Sequence, residues 1–453
     1  MLLRVAVPLI LSNGAFSLQQ FIDRIFLAWY SPQAIAAAPP AGILNFMILS
    51  LFINTCGYAG TFVAQYHGAG RDDRIGPTIW QALFLAAVGG ALMTLLVPAA
   101  APIFRLIGHA PPVQRDEVIY FRILAAGSIL PIMNAAFTAF YSGLGRTWPV
   151  MWVNLVVTGA NVVLDYLLIF GNLGFPRLGV AGAAIATVIA TGFGTVAFAW
   201  TLFRSRRHAR YSLKTPRIEL DLLARLIRYG LPSGLQVTID VTGFTIFVLL
   251  LGRIGTDSLA ATNIALNVNM LAFMPVVGLG IAVSVVVGQH VGRGSIDGAE
   301  FTAYSGVHVA LFYMIVLGSA YVLLPGLFLL PFTANAPAGA YSSIAATARI
   351  LLRFVAFYSL FDALNVTFSS AVKGAGDTRF VVIVQAVLSL GLVVAPMGLI
   401  VFILHWGIFS AWSTATLYIT TLGIVFFLRF RSGVWKRMRT IEPTAEVHQA
   451  DRA

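Results

Sequence analysis

The chain has 453 residues, 58% of them hydrophobic and only 10% charged, with a mean hydropathy of +0.86. This excludes a water-soluble globular protein, because apolar runs pass the roughly 18-residue length of a membrane-spanning helix many times over. The formal charge of +12 does not point to nucleic acid, since the bases collect in short loops between apolar stretches as a membrane topology signal does.

Twelve spans are expected, over about 5–29, 39–66, 78–105, 118–141, 149–170, 179–203, 222–251, 259–289, 301–331, 343–371, 380–402 and 407–429. The first runs on for a full span with no small-residue cleavage site, so it reads as a retained helix rather than a signal peptide. It carries Gln19, Gln20 and Asp23 on one face. Cys56, the single cysteine, lies in the second span and can form no intrachain disulfide. The fifth span spaces Asn154, Thr158, Asn161 and Asp165 as one polar stripe on an apolar helix. The basic segment 204–221 reads as a loop linker outside the bilayer. In the seventh span Gln236 and Asp240 are one turn apart, and in the tenth Tyr358, Asp362, Asn365 and Ser369 form a second stripe. Most Lys and Arg, including Lys373 in the loop after the tenth span, fall on one side if both termini face the cytoplasm.

The two halves of the chain repeat. Residues 4–73 align without a gap on 228–297, matching Pro8 with Pro232, Asn45 with Asn269, and the loop QYHGAG at 65–70 with QHVGRG at 289–294. Further on, Arg122, Asn134, Gly143, Gly145 and Thr147 match Arg353, Asn365, Gly374, Gly376 and Thr378. Six spans per repeat is an even number, so both halves enter the membrane from the same side, and parallel repeats place a substrate site between them near mid-membrane. The expected organisation is 1–203 as one lobe, 204–221 as linker, 222–430 as the second lobe and 431–453 as a tail.

The scaffold repeats but the acids do not: Asp23 aligns with Phe247 and Asp240 with Phe16. A carboxylate at the bilayer centre costs about 2.5–3.5 kcal/mol even on insertion scales, so Asp23, Asp165, Asp240 and Asp362 are functional candidates. Oxygen ligands of this kind suit Na+, and a desolvated carboxyl suits a proton. Either ion fits. Arg24 is expected to snorkel away from Asp23, since neighbours on a helix diverge by about 100°. Arg122 and Arg353 are possible partners for acids of other spans. His308 and His405 read as packing residues. No HExxH, CxxC or phosphate loop occurs, which argues against zinc, a cofactor or an ATP-driven pump and leaves an ion gradient as the energy source. The classes in play are a coupled transporter, a lipid flippase, a channel and a membrane-embedded enzyme. The enzyme lacks DDxxD-type acids, and a channel needs no pair of asymmetric acid sites.

QYHGAGR after the second span, GLGRT after the fourth, NVVLDYLLIFG and LGVAGAAIATVIA, with YGLPSGLQVTID, DSLAATNIALN, VGQHVGRG and DALNVTFSSAVKGAGDT in the second half, resemble the multidrug and toxic compound extrusion (MATE) family, in its NorM-like branch. The resemblance implies an all-α V-shaped pair of six-helix lobes that exports amphipathic, mostly cationic compounds in exchange for Na+ or H+. It also implies a monomer in a bacterial inner membrane that needs no cofactor and binds no nucleic acid. By motif, Asp23, Asn161, Asp165 and Thr187 match a cation site of the first lobe, and Asp240, Tyr358 and Asp362 one of the second. Asp240 stands where that branch often has the longer Glu. A flippase for lipid-linked sugars of the same superfamily is the alternative; it would be expected to present a more basic cavity.

Overall fold

The computed structural model describes residues 1–204, 210–214, 216–333 and 342–442. These residues form helices α1 (Leu2–Tyr30), α2 (Pro32–Gly57), α3 (Ala59–Gly68), α4 (Ile75–Thr94), α5 (Ala100–Ile107), α6 (Pro111–Ala126), α7 (Ile129–Gly143), α8 (Trp148–Phe170) and α9 (Val180–Arg204) in the first half. The second half forms α10 (Leu220–Ile254), α11 (Thr256–Gly292), α12 (Ile296–Leu323), α13 (Pro325–Thr333), α14 (Ser342–Ala375), α15 (Thr378–Leu388), α16 (Ala395–Leu399) and α17 (Ile408–Arg431). Eleven helical stretches are long and apolar enough to cross a membrane, and the pair α6 and α7 makes a twelfth. The expected fold class is therefore the observed one.

Four spans read as continuous are interrupted near a proline, which gives each break a local cause. The fourth bends by 43° between α6 and α7, at Gly127 and just ahead of Pro131, whose ring removes a ladder hydrogen bond. Pro98 lies between α4 and α5, and Pro325 opens α13 after Leu324, which has left the helical conformation. The eleventh span passes through two π-helical turns, Ser389–Val394 and Ile400–Leu404, around Pro396. His405 follows in a left-handed conformation. It and His308 are exposed rather than packed in the core, a correction to their expected role.

The described part of the linker is strapped across α4: Trp80 Nε1 donates to the Leu213 carbonyl at 2.9 Å and Gln81 Nε2 to that of Arg217 at 2.8 Å. Residues 205–209 and 215, with Arg206 and Arg207 among them, lie outside the described residues.

Contact between the halves is concentrated at the end that bears the basic loops, and it follows the repeat. Gln65 Nε2 donates to the Gly374 carbonyl at 2.9 Å, while Gln289 Nε2 donates to the Gly143 carbonyl at 2.8 Å. These are corresponding residues. A Cβ on Gly68 would sit 2.1 Å from the carbonyl oxygen of Gln289, and one on Gly292 would sit 2.1 Å from that of Gln65. Only glycine permits so close a helix approach. Nearby, Gly230 and Gly234 of α10 press on the Thr55 and Leu51 carbonyls of α2, and Gly278 of α11 presses on Ile10 of α1. At the opposite end the apolar clusters contain residues of one half only.

The tail seals the closed end. Thr440 donates to Gln65 Oε1 from its amide at 2.9 Å and from its hydroxyl at 3.0 Å. Glu442 accepts from Tyr66 Oη at 2.7 Å, from Arg71 at 2.6 Å, and from Arg225 on the other half. Burial opposes ionisation of Glu442, but hydrogen bonds from its own backbone, Tyr66 and Arg225 outweigh it and bring its pKa down from 4.5 to about 2. A depressed carboxyl stabilises the folded state above its ordinary pKa and loses that contribution as pH falls through the lowered one. Glu442→Gln is therefore expected to lower thermal stability at pH 7, by on the order of 1 kcal/mol after discounting for its partial exposure. The gap to the wild type should close between about pH 4.5 and about pH 2. Melting curves across that range check it; a gap independent of pH would contradict the ion-pair account.

Candidate functional site

Helix α8 packs its polar stripe against α1. Asn154 Nδ2 donates to Ser12 Oγ at 2.6 Å, and three turns further on the Asp165 carboxyl meets that of Asp23 within hydrogen-bonding contact. Asp165 is fully buried and Asp23 is 8% exposed. Asn161 Nδ2 donates to Thr187 Oγ1 of α9 at 3.4 Å, which leaves Asn161 Oδ1 without a protein donor, as are both oxygens of Asp165 and Oδ1 of Asp23. Tyr120 of α6 stands within electrostatic reach of both acids. Arg24 points out, as expected, and is exposed. Arg122 turns to the Val97 carbonyl and Arg353 is exposed, so the bases proposed as partners from other spans do not neutralise this pair. Two touching carboxyls cannot both be ionised without a counter-charge; a proton or a cation between them is what the arrangement calls for. The orphaned oxygens of Asp23, Asn161 and Asp165 form an all-oxygen donor set that fits either ion.

The second half holds a different cluster. Asp240 of α10 accepts from Gln385 Nε2 of α15 and, at 3.2 Å, from Tyr418 Oη of α17. Asp362 of α14 accepts from Asn365 Nδ2 at 3.0 Å and lies within electrostatic reach of Asp240 and Tyr358. The Tyr358 ring stacks on Trp412 with centroids 6.5 Å apart. The three residues named from the sequence are thus brought together. Gln385 and Tyr418 were missed. A lone Gln in the apolar run of α15 was a usable signal, whereas Tyr418 resembles any lipid-facing aromatic. The π turn at Ser389–Val394 begins four residues after Gln385, and the Cβ position of Gly243 lies 2.6 Å from Ser389 Oγ. Such turns recur beside functional residues because they re-aim side chains.

Two charges differ from expectation. Lys373 was placed in a loop, but its side chain folds inward and Nζ donates to Gln236 Oε1 at 3.0 Å. Glu117 was not counted among the buried acids, because it follows the polar run QRD; it is fully buried and pairs with His109 Nδ1 at 2.7 Å.

The faces through which the halves touch continue beyond the contact. On α11 the stripe from Gly278 runs through Met274 and Met270 to Asn267 and Asn263, on the side away from the core residues Ala261, Ala265, Val268 and Ala272. Asn263, Asn267 and Met270 are exposed. On α2 the corresponding stripe exposes Ile43 and Phe46, which align with Asn267 and Met270 in the repeat. Exposed amides in a membrane span face a water-filled cavity rather than lipid. The two stripes differ in chemistry: amide and thioether on α11, aliphatic and aromatic on α2.

The MatE family profile matches residues 8–167 and 232–399, both halves in turn. A protein of Xanthomonas campestris pv. campestris called probable multidrug resistance protein NorM is 32% identical over 440 residues, covering 94% of this chain and 92% of that one. Multidrug resistance protein PmpM of Pseudomonas aeruginosa is 29% identical over 84% of this chain and 80% of its own. Among solved structures, an outward-facing multidrug resistance MATE family transporter superposes with a TM-score of 0.87 over 96% of both chains at 21% identity, which speaks to the fold. Profile, relatives and fold agree, and the chain belongs to the MATE family of multi-pass membrane transporters.

Proposed function

We propose that this protein exports amphipathic, mostly cationic organic compounds in exchange for Na+ or H+, by alternating access. The observation that carries the reading is the Asp23–Asp165 contact, a carboxyl pair inside a membrane lobe with no buried base beside it among the described residues. The relatives carry multidrug resistance in their names, and the two cavity walls offer apolar, aromatic and amide surface to an amphipathic cation. Residues 1–203 and 222–430 act as two lobes joined by 204–221, with 431–453 as a tail. One chain supplies both walls, so a monomer suffices, and no cofactor enters the cycle. The gathering of Lys and Arg at the basic end supports a cytoplasmic side for that end and both termini, and the bacterial relatives support an inner membrane; in that orientation the conformation described is outward-facing. The flippase reading is disfavoured because the cavity stripes carry no arginine or lysine for a pyrophosphate.

Proteoliposomes loaded with a fluorescent organic cation test this. Dye extrusion should accelerate several-fold when a Na+ or a proton gradient is imposed in the counter-direction. Dye movement indifferent to both gradients would overturn the antiport reading.

A further inference from the structure

The two acid clusters differ in one respect that the repeat makes plain. In the first lobe the base within electrostatic reach of Asp23 is Arg24, whose side chain is exposed, and no buried base stands beside Asp23 and Asp165 among the described residues. In the second, Lys373 Nζ donates to Gln236 Oε1 at 3.0 Å, one helical turn from Asp240, and the ammonium lies within electrostatic reach of Asp240. The registers GLGRT and GAGDT put Ser142 of the first lobe where Lys373 stands in the second. Ser142 is a buried neutral hydroxyl with no hydrogen-bond partner among the described residues. One lobe therefore leaves its pair of acids with only an exposed arginine at its edge, and the other sets a buried lysine beside its acids.

We propose that Lys373 is a built-in cation of the second-lobe site and sets how many external cations that site takes. Two carboxyls and one ammonium leave a single negative charge, so Asp240 and Asp362 together take up one monovalent cation: a proton, a Na+ or the ammonium head of a substrate. The groups facing the ammonium and the acids, Gln236, Gln385, Tyr358 and Tyr418, are neutral and do not change this balance. Lys373 is also held in place from the other lobe. Tyr58 Oη donates to its carbonyl at 2.7 Å and Gln65 Nε2 to that of Gly374 at 2.9 Å, so its backbone is anchored at the closed end while Gln236 holds the ammonium. An unpaired lysine inside a membrane is costly, and the acids it faces offset that cost.

The proposal rests on the reading of Asp240 and Asp362 as a cation site, and the experiment separates the two. Cation uptake per molecule is counted by Na+ titration calorimetry and by proton uptake with a pH indicator. The proteins are the wild type, Lys373→Met, Asp240→Asn, Asp240→Asn with Lys373→Met, and Asp240→Asn with Asp362→Asn. Lys373→Met should take up one more cation than the wild type. If that variant does not fold, the same increment of one should separate Asp240→Asn from its Lys373→Met double mutant, whose charge balance equals that of the wild type. Lys373→Arg should keep the wild-type count. Equal counts with and without Lys373 in folded protein would overturn the proposal while leaving the site intact. Uptake by Asp240→Asn with Asp362→Asn equal to the wild type would instead remove the site itself.

Discussion

Asp165→Asn is expected to reduce ion-driven efflux to the leak rate while leaving the protein at least as stable as the wild type. The two expectations come from the same geometry. Asp165 is fully buried against Asp23, and neither of its oxygens receives a hydrogen bond from the protein. Nothing in the fold depends on its charge, so the amide, nearly equal in shape, removes a burden of about 2.5–3.5 kcal/mol on a membrane-buried acid. The proposed antiport depends on that charge entirely. A coupling ion can bias the two facings of the transporter only by its differential affinity for them, and a site stripped of one of its two carboxyls loses the interaction that supplies it. A loss of about 3 kcal/mol corresponds to roughly a hundred-fold in affinity. Asp23→Asn should behave alike, and Asn161→Ala more mildly, since Asn161 is a neutral ligand. Efflux assays in proteoliposomes, paired with melting curves, check both expectations. Wild-type efflux from a well-expressed Asp165→Asn protein would sink the assignment, and a collapse in melting temperature would show that the pair is structural.

How much of this could be read from the sequence follows from what each residue needs. Asp23, Asp165, Asp240 and Asp362 stand out because charge in an apolar run is expensive and therefore conspicuous. Helical spacing alone placed Asn161 and Asp165 on one face and Tyr358 with Asp362 on another. The repeat identified Gln65, Gln289, Gly143 and Gly374, but not that each glutamine reaches the other lobe's glycine carbonyl, because that pairing depends on the conformation as well as the sequence. Gln385 and Tyr418 reach Asp240 from helices remote in sequence. Lys373 was misplaced for a physical reason: its Cα belongs to the last turn of α14, where a topology rule counts it as cytoplasmic, but the side chain is long enough to carry its charge back into the lobe. Glu442, near the end of the chain, gave no signal in the sequence that it gathers arginines from both lobes.

Alanine at Gly68 or at Gly292 is expected to open the end that bears the basic loops and drive the population away from the conformation described. A methyl group at Gly68 would lie 2.1 Å from the Gln289 carbonyl oxygen, and one at Gly292 equally close to that of Gln65. Backbone cannot swing aside as a flexible side chain can, so the helices must separate. Within its own lobe each substitution is benign, since alanine favours a helix over glycine by about 1 kcal/mol. The penalty falls on one facing only, which is the condition for shifting a two-state equilibrium rather than unfolding the protein. A differential of about 2.7 kcal/mol moves the ratio of facings about a hundred-fold. Gly14→Ala, where an added Cβ meets nothing within 4 Å, should have no effect. Spin labels on Gln33 and Asp257, both exposed at the ends of their lobes away from the basic loops, read the outcome once Cys56 is replaced. The distance between them should shorten in Gly68→Ala and Gly292→Ala and stay put in Gly14→Ala. In the wild type it should change with coupling ion or pH and change back on adding substrate, because the two ligands favour opposite facings. Unchanged distances in both glycine variants would mean that the close approach at the basic end does not govern which way the cavity faces.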